Sequence, residues 1–176
     1  MPTIKCHLLT PTNQGRRRIY RYAEGRCTTA GGHYSEHVSY GGPITLGGNK
    51  QEKLPAKQST KWPRQCAHCD YRFTSKDRYL QTIDPLYQHP TAGLVTLATA
   101  PVGSMWYAPW LKPNKATPDG QALVVKTPAG DWFVDGHSVR DGQHSGDGWV
   151  RTGDPGAGTV SATPSIVIGD PSRYHG

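Results

Sequence analysis

At 176 residues the chain is long enough for one domain or two small ones, and its 21 Gly and 15 Pro make up about a fifth of it, well above ordinary usage. Its 28 Leu, Ile, Val and Phe residues, about 16%, allow only a thin aliphatic core, so five Trp and nine Tyr must supply much of the buried surface. The net charge is +7; no apolar run approaches the roughly 18–20 residues that span a bilayer, and the opening MPTIKCHLLTPTNQGRRR has no apolar signal core, so neither a membrane partner nor an export signal is expected.

In chain order, the pattern predicts a mainly β architecture with long loops and at most one short helix. Residues 5–10 and 17–22 are β-branched or aromatic and read as strands, with Ile19 packing on one face, Tyr20 and Tyr22 on the other, and Arg16, Arg17 and Arg18 solvating an edge. Residues 41–63 lack periodicity and collect Gly, Lys, Gln and Pro. They read as an extended arm, which with residues 10–18 is expected to lie against neighbouring subunits, because so few apolar groups repay little of the ordering entropy. Residues 74–83 give the one helix signal: Thr74 or Ser75 as N-cap, then Tyr79, Leu80 and Ile83 as an apolar stripe ending before Pro85. Further strands are expected over 93–99, 121–126, 131–134, 149–152 and 164–168. Residues 123–126 and 132–134 form a hairpin around Pro128-Ala129-Gly130. Met105, Trp106, Tyr107 and Trp110 read as a core cluster, and residues 153–158 as a turn.

Charge divides the chain. Residues 1–80 carry 14 Lys/Arg against 5 Asp/Glu, whereas residues 81–176 carry 6 against 8. The expected organisation is a basic part over 1–80, containing the arm, and a β-rich part over 81–176. A basic half can dock on nucleic acid or on an acidic protein surface, since both present dense negative charge.

The clearest chemistry lies in four cysteines at positions 6, 27, 66 and 69. Cys66-Ala67-His68-Cys69 is a CxxC, the spacing with which a tight knuckle points two thiolates at one metal ion. Cys27 and Cys6 would complete a four-cysteine zinc site, a closed staple for a thin core. His33 and His37, an H-x3-H pair, and His68 inside the knuckle are candidates to replace Cys6 or Cys27. A disulfide, a redox CxxC and free thiols are the alternatives, without an export signal or a βαβ pattern to favour the first two.

Three further motifs carry a resemblance. Cys66-x-x-Cys69-Asp70-Tyr71-Arg72-Phe73, then residues 101–110 (PVGSMWYAPW), then residues 118–132 (PDGQALVVKTPAGDW) together resemble a family encoded by tailed phages and prophages. Its members read CxxCGYxF, PxGAMWxAxWM and PDGRxLxVxTPxGxW, and close near YHGF. The likeness covers residues 62–176, including the terminal Tyr174-His175-Gly176, and implies a phage origin. Family members continue after these motifs with a Cys that could serve as a nucleophile; here residues 135–142 stand in its place, and no Cys follows position 69.

Asp135, His137, Ser138, Asp141, His144, Ser145 and Asp147 crowd one stretch, but the glycines among them make it a polar loop rather than an acid–base site. No catalytic role is therefore expected. The reading that follows is a zinc-stabilised structural protein of the virion, assembled in the host cytoplasm with other virion subunits as a capsid decoration, cement or connector component. The alternative is a nucleic-acid-binding or hydrolase-like phage accessory protein with a structural zinc site.

Overall fold

A computed structural model describes residues 5–28, 31–37, 42–47, 55–113, 117–136, 139–140, 143–144 and 150–163. Every regular element among them is a β-strand, so the protein is mainly β. It divides into a middle unit, residues 11–87, and a second unit built from residues 1–10 and 88–176. The division falls near the expected boundary at 80, but the first ten residues go with the C-terminal part.

In the middle unit a long strand β2 (Thr10–Ala23) lies between β3 (His33–His37) and β5 (Arg78–His89), and β4 (Pro43–Thr45) pairs antiparallel with the other end of β2. Residues 10–18, expected as an arm, are therefore sheet. Residues 43–45 of the second expected arm pair with β2, and Trp62 is buried, its indole N–H donating to the carbonyls of Pro55 and Ala56. Described parts of both segments thus find partners within the middle unit, and residues 41 and 48–54 lie outside the described residues.

From Gly15 onward β2 alternates strictly, with Gly15, Arg17, Ile19, Arg21 and Ala23 buried and Arg16, Arg18, Tyr20 and Tyr22 half-buried. The register of Ile19 and the two tyrosines is as expected, but Arg17 and Arg21 share the face of Ile19 rather than solvating an edge. Gly15 permits the close approach of β2 to its neighbours: a Cβ there would sit 2.6 Å from Ile83 Cγ2 and 2.7 Å from Leu46 Cδ2.

The helix expected over residues 74–83 is instead a turn followed by β5. Asp77 closes the turn, its amide donating to the Thr74 carbonyl while its carboxylate accepts from the Thr74 amide and hydroxyl. The strand then pays its way across the sheet. Arg18 reaches Thr82 (3.2 Å) and Asp84 (3.2 Å), and the Thr12 hydroxyl donates to the Leu86 carbonyl (2.6 Å). Tertiary pairing outweighs a short local helix preference of a few tenths of a kcal/mol per residue.

The second unit holds a sheet of order β1-β7-β8-β9, from β1 (His7–Leu8), β7 (Ser104–Tyr107), β8 (Leu123–Thr127) and β9 (Gly130–Phe133). β1 pairs in parallel with β7, which is what recruits the first ten residues here. The expected hairpin is β8–β9, paired Val124↔Phe133 through Thr127↔Gly130. Met105, Leu123 and Val134 are its fully buried centre, with Leu8, Val125, Trp132 and Val160 packed around them. Met105 and Trp106 are core, as expected, whereas Trp110 is 62% exposed.

β6 (Gly93–Val95), β10 (Val139–Arg140) paired with β11 (Gln143–His144), and β12 (Val150–Thr152) paired with β13 (Ser161–Thr163) complete the strands. Residues 155–158 form the expected turn, capped by the Asp154 carboxylate on the Gly156 amide (2.8 Å). A buried charge network ties β12 to the core hairpin. Arg151 Nε donates to Asp135 (3.0 Å), its NH2 donates to Asp119 (2.6 Å), and Asp135 also accepts from the Leu123 amide (2.7 Å). Asp135 is thus a fully buried structural partner. The strand expected over 164–168, together with His137, Ser138, Asp141, Ser145, Asp147 and Tyr174–Gly176, lies outside the described residues. Among the described residues no helix is long and apolar enough to cross a membrane.

Candidate metal centre

The knuckle is built by a local hairpin. Gln65 and Arg72 bridge antiparallel, the Phe73 amide donates to the Arg64 carbonyl (2.9 Å), and the Cys66 amide donates to the Tyr71 carbonyl (2.9 Å). This folds residues 66–69 into a tight loop with both thiols on one side. A second contact fixes the hairpin to the sheet, since the Ala67 amide donates to the carbonyl of Tyr34 on β3 (2.9 Å).

Against that knuckle the sheet presents two more ligands. Cys27 lies on the connection leaving β2, and His33 opens β3, where its pairing with Ala23 turns the chain back beside the knuckle. The ligand atoms of Cys27, His33, Cys66 and Cys69 all lie within 4.8 Å of one another. Cys27 Sγ is 3.8 Å from Cys66 Sγ and 3.7 Å from Cys69 Sγ, and His33 Nδ1 is 3.2 Å from Cys69 Sγ. A tetrahedral ion with metal–sulfur bonds of about 2.3 Å has sulfur–sulfur edges of about 3.8 Å, so the two thiol pairs stand at the spacing such an ion requires. Among the described residues no disulfide joins any of the four cysteines.

Outer contacts orient the ligands. Cys66 Sγ accepts from the amides of His68 and Tyr34, each at 3.4 Å, and the Tyr71 amide bonds to the Cys69 thiol two residues earlier. The His33 ring stacks on Tyr71, centroids 4.0 Å apart and planes at 9°, which locks the imidazole in its ligating pose. Thr28 ties the Cys27 segment to the knuckle through the His68 carbonyl (2.7 Å). The amide of Tyr71 favours the Cys69 thiolate, but desolvation and the crowded thiols of Cys27 and Cys66 outweigh it and push the thiol's pKa up. Three sulfurs and one imidazole this close could hold a metal ion, and a Cys3His donor set suits zinc.

The structure thus brings together three of the four expected cysteines and substitutes His33 for Cys6. Cys6 is not among the residues brought together: it precedes β1 in the second unit, where it packs against the Met105–Leu123–Val134 core, and burial raises its thiol pKa. His37 sits at the far end of β3, four residues or about 13 Å along the strand from His33, so the two histidines cannot share one ion. His68 is exposed and contributes only its backbone. The sequence signal for His33 was present in the H-x3-H pair; only the strand register selects its first member.

Comparison with known proteins adds no relative: no family model, no curated protein and no solved structure matches the chain. Fold and site together define a class, a β-rich protein with a candidate metal centre of three thiols and one imidazole.

Proposed function

We propose that the chain is a non-catalytic structural protein of a tailed-phage particle, with its middle unit stapled by zinc. The observation that carries the reading is the complete donor set at the knuckle. Four protein ligands fill a tetrahedral ion and leave no position for water or substrate, the arrangement of structural rather than catalytic zinc. Binding to such a site is folding free energy, which suits a unit poor in aliphatic residues. The phage assignment rests on the three motifs between residues 66 and 132; the partners it implies are other virion subunits, and the location is the assembled virion.

Two measurements test this. Metal analysis of protein purified without chelator should give one zinc per chain, and less than half a zinc would defeat the staple. Mass spectrometry of intact, nuclease-treated particles from a lysogen encoding the chain should recover its peptides at fixed copy number; their absence from purified particles would defeat the virion assignment.

A second reading, a nucleic-acid-binding accessory protein, is favoured by where the charge falls. Residues 11–87 hold 13 Lys/Arg against 6 Asp/Glu, and the remainder of the chain is balanced at 7 against 7. The whole net charge of +7 therefore belongs to the unit that carries the metal ligands. Duplex DNA binding with a steep salt dependence would support that reading over the first.

A further inference from the structure

The hairpin that carries the knuckle also walls a cavity of about 300 Å³ in the middle unit. Arg21, Lys57, Arg64 and Arg72 line it, with Trp62 and Phe73 as its aromatic wall, and no carboxylate is among the described lining residues. Arg64 and Arg72 stand on the two strands at the base of the knuckle, where Phe73 bonds back to Arg64 and Arg72 bridges Gln65. The fold that assembles the metal ligands therefore brings these two arginines together.

Arg21 is the unusual member. It is 4% exposed on the buried face of β2, its guanidinium lies 3.8 Å over the Tyr79 ring and 5.1 Å from that of Phe73, and it donates to the Thr74 carbonyl. Among the described residues its Nε finds no hydrogen-bond partner. Removing a guanidinium from water costs several kcal/mol unless an anion compensates it. Among the described residues no carboxylate forms an ion pair with Arg21, Lys57, Arg64 or Arg72. Asp77, whose charge acts on Arg21, accepts hydrogen bonds from Thr74 and Tyr71 and forms no ion pair with it. The other acids of the sheet are also engaged, Glu36 and Asp84 by Arg18 and Glu24 by Arg78.

We propose that this cavity is a binding site for a phosphate group, carried by a nucleotide or by the phosphorylated end of a nucleic-acid strand. Three arginines and one lysine line one space, and planar guanidinium forks match phosphate oxygens two at a time. A carboxylate carries one negative charge, whereas a terminal phosphate carries about 1.5 to 2 at neutral pH, which better balances four cations. The volume sits at the small end of ligand pockets, enough for a phosphate with part of its sugar and base against Phe73. The inference goes beyond the structural reading and is tested separately from it, because phosphate binding requires neither a virion nor other subunits.

The test uses zinc-loaded full-length protein and calorimetric titration with pyrophosphate, a mononucleotide, and one single-stranded oligonucleotide with and without a 5′-phosphate. Pyrophosphate and at least one phosphorylated probe should bind, and the 5′-phosphate should strengthen oligonucleotide binding at least tenfold. Arg64→Ala and Arg72→Ala change exposed side chains and should retain zinc, yet each should weaken phosphate binding about tenfold or more; Arg78→Ala, which loses an exposed cation paired to Glu24, should not. A nucleotide that binds when the oligonucleotide does not identifies the free ligand as the source; the reverse identifies the strand end. Failure of every phosphate probe at millimolar concentration overturns the proposal, as does binding that Arg64→Ala and Arg72→Ala leave intact. Binding of a polyglutamate peptide in place of phosphate also overturns it, in favour of an acidic protein segment.

Discussion

His33→Ala removes the one nitrogen ligand of the centre and, with it, the stack on Tyr71. At free zinc a thousand times the Kd, a site specific to the folded state stabilises by about 4 kcal/mol. A thousandfold weakening on loss of a ligand would return nearly all of that, and the lost ring stack adds about 0.5–1.5 kcal/mol. For a cooperative unit of this size each kcal/mol moves the melting temperature by roughly 4–8 °C, so the middle unit should melt on the order of 15–40 °C lower. Thermal melts with and without excess chelator separate the two contributions: in chelator the variant and the wild type should differ only by the stack. Cobalt substitution reads the donor set directly, with thiolate-to-metal absorption appropriate to three sulfurs rather than four. Cys6→Ser is the control and should keep full metal content and the same cobalt spectrum. Metal loss in Cys6→Ser with retention in His33→Ala would refute the assignment of His33 and restore the four-cysteine site.

Other expectations concern the remaining structure. Arg151→Met strands the buried Asp135 carboxylate and should cost about 3–5 kcal/mol in urea unfolding of the second unit, and Asp135→Asn in the same chain should recover part of it; an unchanged midpoint would show that the pair carries no weight. The Asp119 pKa is lowered on balance, since burial, which alone would raise it, is outweighed by the Gln121 amide and by Arg151. Its depressed folded value means that its contribution to stability is present above the ordinary carboxylate pKa of about 3.9 and is lost as pH falls through that value and below. Asp119→Asn should therefore flatten the acid limb of the second unit's stability curve, and an unaltered slope would contradict the linkage. Gly15→Val forces a side chain into Ile83 and Leu46 and should destabilise the middle unit by at least about 1–3 kcal/mol, measured by denaturant midpoint, with no change in metal stoichiometry.

The sequence by itself determined the features that short-range patterning can fix. The alternation of β2 around Ile19 needs only a period of two, the β8–β9 hairpin needs two apolar runs and a turn, and the knuckle needs two thiols three residues apart. What it left open depended on register across the sheet. Residues 74–83 have a stripe that suits a short helix, and only pairing beside β2, with Arg18 reaching Thr82 and Asp84, makes residues 78–89 a strand. Likewise the choice among Cys6, His33, His37 and His68 is invisible to spacing. His33 joins the candidate ligand set because it pairs with Ala23 at the end of β2 nearest Cys27, whereas His7 and Leu8, which follow Cys6, pair in parallel with Ser104 and Met105. A cavity lined by Arg21, Arg64 and Arg72 has the same origin: residues up to 51 positions apart acquire one chemistry when strand pairing and the knuckle hairpin bring their backbones together, and local propensity carries no record of that distance.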